Sequence, residues 1–176
     1  ITPENYIKNL LEVLVSGEIP FKKMPDLKVS VVIPNYNYEK FIPERLNSIL
    51  TQTVRPHEII FLDDVSKDNS IAVAKEILEN AGISYRIIAN ETNQGCFNQW
   101  LNGIGNASGD IIWIAEADDV CEPYFIETLL PFFEDDQVNL AYGQSEVINE
   151  FGEHSGFIYT EYTNDLSETK WQNDYL

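Results

Sequence analysis

Two clusters of acidic residues carry the clearest chemical signal in this sequence. Glu116-Ala117-Asp118-Asp119 directly follows the apolar run 111–115, and Asp63-Asp64 follows the apolar run 59–62. Carboxylates this close repel one another unless a cation compensates, and their hard oxygen atoms suit Mg²⁺ or Mn²⁺. The first cluster therefore predicts a metal site at Glu116, Asp118 and Asp119. A structural alternative stays open, because acidic residues near the start of a helix at Pro123 need no metal.

The surroundings of these clusters indicate the kind of ligand. Residues 59–133 contain twelve acids and only three bases, Lys67, Lys75 and Arg86, so an anionic ligand there needs a metal bridge. A nucleoside diphosphate fits, since its polar groups can pair with carboxylates and its phosphates can bind the metal. Tyr36, just past another apolar run, can stack on a flat base or can simply cover the edge of the core. Its neighbours Asn35 and Asn37 are interpreted as ordinary turn residues.

Alternating strands and helices position these residues. Short apolar runs predict strands at 29–33, 59–62, 85–89 and 111–115. Apolar residues spaced by three and four predict helices at 42–53, 71–81, 97–104 and 123–133. A last strand is predicted at 140–148, with a turn at 150–152. Strands that are apolar throughout indicate a mostly parallel, Rossmann-like sheet covered by helices on both faces, and such sheets bind ligands beyond the carboxyl ends of their strands.

The two ends of the chain are predicted to be separate from the α/β domain at 28–156. Residues 3–16 have an amphipathic pattern that predicts an N-terminal helix, and a linker with two prolines leads to residue 27. Residues 157–176 are expected to begin an acceptor-side region or a tail. No signal peptide is recognisable, and no apolar run approaches the roughly 18 residues that span a bilayer. We expect a cytoplasmic location, with peripheral attachment to the inner membrane face as an alternative for a full-length protein.

The overall composition excludes several classes of function. The 29 acidic and 11 basic side chains give a net charge of −18, which excludes a nucleic-acid binder that neutralises phosphates with Lys and Arg. A hydrophobic content of 44% excludes a disordered chain. The sequence also lacks GxGxxG, the P-loop and GxSxG. A dinucleotide fingerprint, a P-loop nucleotide site and a serine-hydrolase elbow are therefore absent from this sequence.

Taken in order, the motifs resemble those of family 2 glycosyltransferases. Residues 29–37 are similar to the opening strand of that family, and residues 58–68 are similar to its second strand with an acidic end. Asn93-Gln94-Gly95, Asn102-Gly103-Ile104 and Ala107-Ser108-Gly109-Asp110 resemble the stretch before the metal motif. Glu116-Ala117-Asp118-Asp119 occupies the place of that motif, usually Asp-x-Asp, and residues 142–152 resemble the hairpin that follows.

The resemblance implies a GT-A fold, a nucleotide-sugar donor, and Mn²⁺ or Mg²⁺ as cofactor. It assigns nucleotide binding to Pro34, Tyr36, Asp63, Asp64, Asn93 and Asp118. Among these, Tyr36 and Asp63 are expected to contact the base, whereas Asp64 is the less favoured base contact. It assigns metal binding to Glu116, Asp118 and Asp119. Glu116 stands where Asp is usual, so its longer side chain is expected to reach a metal only through water.

The implied reaction is transfer of a sugar, with inversion, from a nucleotide-diphosphate sugar to an acceptor hydroxyl. A UDP-sugar is the favoured donor, and synthesis of cell-surface polysaccharide is the implied role. A carboxylate base would remove the acceptor proton, while the metal would neutralise the leaving diphosphate. No convincing base follows Gly152. We therefore expect this chain to be the donor-binding part of a longer enzyme, with its base outside residues 1–176.

Two alternatives remain open at this level. The chain could be a truncated or degenerate module that binds a nucleotide without turnover, which Glu116 and the lack of a base favour. It could also be a nucleotidyltransferase, although such enzymes need a Gly-rich basic loop after the first strand and residues 37–40 do not provide one. The acceptor stays open too, whether a saccharide, a lipid-linked molecule or a protein.

Overall fold

A computed structural model describes residues 26–143, 145–149 and 151–158 of the chain. The helix predicted at 3–16, its linker up to residue 25, and residues 159–176 lie outside the described residues. The division of the chain at residues 27 and 156 therefore stays a prediction. Within the described ranges, no helix is long and apolar enough to cross a membrane.

The described residues alternate between strands and helices in the predicted order. The strands are β1 (Val29–Asn35), β2 (Glu58–Asp63), β3 (Ser84–Ala89), β4 (Ile111–Ile114), β5 (Glu146–Ile148) and β6 (His154–Ile158). The α-helices are α1 (Ile42–Leu50), α2 (Ser70–Asn80), α3 (Cys96–Asn106) and α4 (Phe125–Leu129), and a 3₁₀ helix follows at Leu130–Glu134.

β1 to β4 form one parallel sheet in the order β3-β2-β1-β4, and β5 pairs with β6 as an antiparallel hairpin. In the central strand, Asn35 lies opposite Asp63 of β2, and Val32 lies opposite Ile114 of β4. The parallel sheet predicted from the apolar runs is therefore confirmed. Because β1 lies between β2 and β4, residues that follow these three strands meet at one edge of the sheet.

Helices cover both faces of β1 and β2. Alternate side chains of a strand point to opposite faces, so each of these strands contributes to the core on both sides. On one face, Val31, Ile33 and Phe61 are fully buried in a core that also contains the apolar side chains of α1 and α2. On the other face, Val32 and Leu62 are fully buried beneath α3. Burying one such aliphatic or aromatic side chain contributes about 1.5–3 kcal/mol to the stability of the fold. The core on both faces therefore holds the ends of the strands in place.

Four of the predicted elements are corrected, and the first is the helix predicted at 42–53, which ends at Leu50. The strand predicted at 140–148 is limited to Glu146–Ile148, because the side chains of Leu140 and Tyr142 are exposed and do not pack on the sheet. The helix predicted at 123–133 begins at Phe125 and becomes a 3₁₀ helix at Leu130, where Pro131 lacks the N–H that an α-helix needs. β1 also continues through Pro34 to Asn35 rather than ending at the proline.

Candidate functional site

The ends of β1, β2 and β4 are joined by backbone hydrogen bonds at one edge of the sheet. The Asp64 N–H donates to the Asn35 carbonyl at 2.9 Å, and the Ala115 N–H donates to the Val32 carbonyl at 2.8 Å. The segment after β4 therefore continues alongside β1 toward Tyr36. The structure thus brings the two acidic clusters and Tyr36 to the same edge, as the sequence predicts.

Asp63 is a buried carboxylate held in one orientation. It is 1% exposed; its Oδ1 accepts from the Asn35 side-chain amide at 2.8 Å, and its Oδ2 accepts from the Ser66 N–H at 2.9 Å. The interpretation of Asn35 as an ordinary turn residue is wrong. Asn35 is the buried last residue of β1, and its Oδ1 has no hydrogen-bond partner among the described residues.

Asp64 organises the loop between β3 and α3. Its Oδ1 accepts from the Gln94 N–H at 2.8 Å and from the Asn90 side-chain amide at 2.8 Å, and its Oδ2 accepts from the Gly95 N–H at 2.9 Å. Burial raises the pKa of Asp64, but these donors outweigh it and hold the pKa below its usual value. Asn93 belongs to the same loop and donates its side-chain amide to the Asp64 carbonyl at 3.1 Å.

Tyr36 directly follows the last residue of β1 at this edge and is 47% exposed. The next residue, Asn37, has a left-handed φ of 61°. Its N–H donates to the Ser66 hydroxyl at 2.9 Å, and its side-chain oxygen accepts from the Lys67 N–H at 2.7 Å. These bonds tie the loop after β1 to the loop after β2. Pro34, in contrast, is buried inside β1 opposite Leu62.

The three carboxylates after β4 differ in their surroundings. Glu116 is half-buried, and its Oε1 accepts from the indole N–H of Trp100 in α3 at 2.9 Å. Asp118 and Asp119 are exposed, and the charge of Asp118, followed by burial and a hydrogen bond to Asp118, raises the pKa of Tyr38. No three Asp, Glu, His or Cys side chains in the part of the chain that the structure describes are grouped closely enough to hold a metal ion.

A buried arginine lies behind the same carboxylates. Arg45 of α1 is 3% exposed, its guanidinium lies 5.2 Å from the centre of the Trp113 ring, and its Nε and Nη1 have no hydrogen-bond partner within the described ranges. Desolvation of their carboxyl groups and the neighbouring carboxylates raise the pKa of Glu116 and, although Asp119 as a whole is exposed, of Asp119 too; the positive charge of Arg45 opposes both rises. Arg45 therefore favours the ionised form of both acids.

A cavity of about 220 Å³ opens beside Asp118 and Asp119. Phe41 and Glu44 at the start of α1 line one side, and Ile148 of the β5–β6 hairpin lines another. The exposed carboxylates of Asp118 and Asp119 therefore border an open volume that is large enough to admit part of a ligand.

Asn35, Arg45 and Trp100 belong to this site but were not predicted from the sequence. Arg45 had a detectable signal, because it shares the apolar stripe of α1 with Ile42 and Ile49, and a charged residue there must be buried with some compensation. Asn35 and Trp100 had none, since their roles depend on the direction of a side chain rather than on spacing along the chain.

Comparison with known proteins gives the family. Residues 30–174 match the model of glycosyl transferase family 2. Glycosyltransferase GlyA of Streptococcus pneumoniae serotype 4 is 32% identical over 135 residues, which cover 76% of this chain and 18% of GlyA. The Escherichia coli enzyme WfgD, a UDP-Glc:alpha-D-GlcNAc-diphosphoundecaprenol beta-1,3-glucosyltransferase, is 29% identical over 126 residues, which cover 72% of this chain and 49% of WfgD.

A solved structure supports the fold. S. aureus TarS 1–349, in complex with UDP, superposes with a TM-score of 0.56 and 28% identity over 61% of this chain and 32% of that one. TarS 1–349 has also been solved with UDP-GlcNAc. The parallel sheet, its helices and this similarity confirm a fold of the GT-A type. The chain spans less than half the length of GlyA, WfgD and TarS 1–349. With most of its residues matched by the family model, the chain belongs to glycosyl transferase family 2.

Proposed function

We propose that this chain is the donor-binding part of a glycosyltransferase that transfers a sugar, with inversion, from a UDP-sugar to an acceptor hydroxyl. The observation that carries the proposal is the meeting of Tyr36, Asp63 and the Glu116–Asp119 cluster at the edge where β2, β1 and β4 end. A UDP-sugar is favoured because TarS has been solved with UDP and UDP-GlcNAc, and because the name of WfgD specifies UDP-Glc.

The nucleotide would bind over β1 and β2. Tyr36 offers an exposed ring for stacking on the base, and Asp63 offers a carboxylate whose orientation is already fixed by Asn35 and Ser66. Asp63 is 1% exposed, so the base would have to reach it between the ends of β1 and β2; a carboxylate oxygen accepts more than one hydrogen bond, which leaves acceptor capacity for a base N–H. Asp64 accepts three hydrogen bonds from the loop at 90–95 and so shapes that loop beside the nucleotide, which leaves it the less favoured contact to the base.

Three further residues complete the proposed nucleotide set. Pro34 supports the site from within β1, next to Asn35. Asn93 would line the nucleotide as part of the loop that Asp64 holds. Asp118 is exposed on the β4 side and would contact the ribose or the metal.

The acidic residues after β4 fit a divalent cation. Asp118 and Asp119 provide exposed, hard oxygen ligands, and Mg²⁺ or Mn²⁺ needs only one or two carboxylates when phosphate oxygens complete its shell. Glu116, already bonded to Trp100, would complete the set through water. When bound, the cation would neutralise the charge of the leaving diphosphate.

Acceptor binding and the catalytic base are proposed to lie beyond residues 1–176, in a cytoplasmic enzyme of cell-surface polysaccharide synthesis. Holding the acceptor next to the donor can contribute about 7–11 kcal/mol to lowering the barrier, so the donor-binding part alone should bind the donor without efficient transfer. Residues 1–176 and a longer chain should be compared with one donor and a panel of acceptors. Efficient acceptor glycosylation by the short chain would contradict the division of labour.

A thermal-shift experiment tests donor binding directly. UDP at about 100 times its dissociation constant should stabilise the protein by roughly 2.7 kcal/mol, and Mn²⁺ should increase the shift relative to EDTA. Equal shifts in Mn²⁺ and EDTA would contradict the metal bridge. A larger shift with GDP or ADP would contradict the choice of UDP.

Two substitutions locate the nucleotide. Asp63→Asn should weaken UDP binding by about tenfold or more, because a hydrogen bond to a charged group contributes about 1.5–3 kcal/mol. Glu79→Gln is a matched control, since Glu79 is an exposed residue of α2. Isothermal titration of the folded variants gives the affinity separately from stability, and wild-type affinity in Asp63→Asn would mean that the base lies elsewhere.

A further inference from the structure

The first turns of α3 contact both acidic clusters. The Gln94 and Gly95 N–H groups at its start donate to Asp64, and the indole N–H of Trp100, further along the same helix, donates to Glu116. A displacement of this helix would therefore disturb the two clusters together. The hydrogen bond from Trp100 to Glu116 links α3 to the acidic cluster after β4.

The contact between Trp100 and Glu116 has the geometry of a strong hydrogen bond. The indole nitrogen can only donate, its distance to Glu116 Oε1 is 2.9 Å, and an ionised acceptor strengthens such a bond. Phe97 packs edge-on against Trp100 with 5.0 Å between ring centres. The indole is half-buried and held by this neighbour, so it keeps the Glu116 carboxylate turned toward α3.

This arrangement limits what Glu116 can do when a nucleotide binds. The bond engages Oε1 of Glu116, so the carboxylate can approach a cation only with that oxygen still turned toward α3; turning it away would leave a half-buried indole N–H without a partner, which is unfavourable. Asp118 and Asp119 are exposed and do not need to give up a comparable bond to Trp100.

On the basis of the proposed function, we propose that Trp100 is a positioning residue that fixes the orientation of the Glu116 carboxylate beside the cation site. Its indole N–H stays bonded to Glu116 in the complex with nucleotide and cation. Glu116 then presents one fixed carboxylate orientation to the cation that Asp118 and Asp119 are proposed to bind.

Nuclear magnetic resonance of the indole groups tests whether this bond persists. The sequence has three tryptophans, so labelling tryptophan with ¹⁵N gives three indole signals, and Trp100→Phe identifies one by its loss. Glu116→Ala gives the position of this signal without its acceptor. Adding Mg²⁺ and UDP to the wild type should leave the signal at its hydrogen-bonded position. Movement to the Glu116→Ala position would overturn the proposal, as would an unchanged signal in Glu116→Ala.

Binding measurements test the effect of the bond on the cation. Changes to groups that orient metal ligands typically weaken metal affinity by 10–100-fold, so Trp100→Phe should weaken Mn²⁺-dependent UDP binding by about tenfold. Trp100→His keeps a ring N–H and should recover part of the affinity. Phe97→Leu disturbs the ring pair but keeps the indole donor, so it should bind like the wild type.

The outcomes separate this inference from the proposed function. If wild-type UDP binding does not depend on Mn²⁺, the metal proposal fails, whereas the indole signal still reports on the Trp100 bond. If Mn²⁺ matters but Trp100→Phe binds normally, only the positioning role fails. If Trp100→Phe weakens UDP binding equally in Mn²⁺ and EDTA, or if Phe97→Leu has the same effect, Trp100 acts through packing and the positioning role is wrong.

Discussion

Glu58, at the start of β2, should be a main contributor to stability at the edge of the sheet opposite the candidate site. It is 5% exposed, and its Oε1 accepts from the Ser30 hydroxyl, the Ser108 N–H and the Ser108 hydroxyl, each at 2.7 Å. Its Oε2 accepts from Arg86 of β3 at 3.1 Å. One carboxylate therefore connects β1, β2, β3 and the turn before β4.

The magnitude follows from the protonation of Glu58. Burial alone would raise its pKa, but the hydrogen bonds from Ser108 and Ser30 outweigh it and lower the pKa from 4.5 to about 2. A difference of about 2.5 pKa units, at 1.36 kcal/mol per unit, corresponds to about 3 kcal/mol of unfolding free energy at pH 7. Because the pKa is lower in the folded state, this contribution is complete above pH 4.5 and disappears as the pH falls toward 2.

Urea unfolding of the wild type and of Glu58→Gln between pH 7 and pH 3 measures this effect. The difference between the two proteins should fall by about 2 kcal/mol over that range, since about 1 kcal/mol of the charge contribution remains at pH 3. Glu79→Gln is the control, because its ion pair with Lys75 is exposed and contributes less than about 0.5 kcal/mol. A difference that stays constant with pH would refute the account of Glu58.

Three further substitutions test single features of the fold. Val65→Gly should raise the free energy of unfolding, measured by chemical denaturation, by about 0.5–1 kcal/mol. Val65 has a left-handed φ of 66°, which costs a β-branched residue more free energy than it costs glycine. A lower free energy of unfolding in the variant would contradict backbone strain at Val65. Gly103→Ala should destabilise by about 1–3 kcal/mol, because an added Cβ would lie 2.2 Å from Val32; thermal unfolding measures this. Asp64→Asn should speed hydrogen exchange at the backbone amides of Gln94 and Gly95, because both amides donate hydrogen bonds to the Asp64 carboxylate. Unchanged exchange would refute the role of Asp64 as an anchor of this loop.

The sheet and the position of the acidic clusters could be predicted because they depend on patterns along the chain. A strand that is buried on both faces must be apolar at every position, and the runs at 29–33 and 59–62 have that property. The ligand-binding edge then follows from the rule for parallel strands. Predictions were poorer at 123–133 and 140–148, where apolar residues occur without the packing surface that would make them a continuous helix or strand.

The finer geometry of the site could not be predicted in this way. Whether Asn35 faces Asp63 depends on the register between β1 and β2, which no single strand encodes. Trp100 meets Glu116 only because α3 packs closely on β1, where Gly103 leaves room for Val32. In the sequence, Gly103 stands out only within Asn102-Gly103-Ile104, whereas in the structure it is the residue that permits this approach.

Arg45 changes the electrostatic argument for a metal. In the sequence, Glu116, Asp118 and Asp119 indicate a cation supplied from outside the chain, because their charges would otherwise repel one another. The structure places a buried guanidinium of the protein behind these residues, where its charge opposes the rise in the pKa of Glu116 and Asp119. One of the three negative charges is then balanced internally, and a divalent ion would balance the other two. Mutual repulsion alone therefore supports a metal less strongly than the sequence suggested. The stronger support is the chemistry of the ligands. Asp118 and Asp119 remain exposed beside an open cavity, where a diphosphate could complete the coordination of an ion.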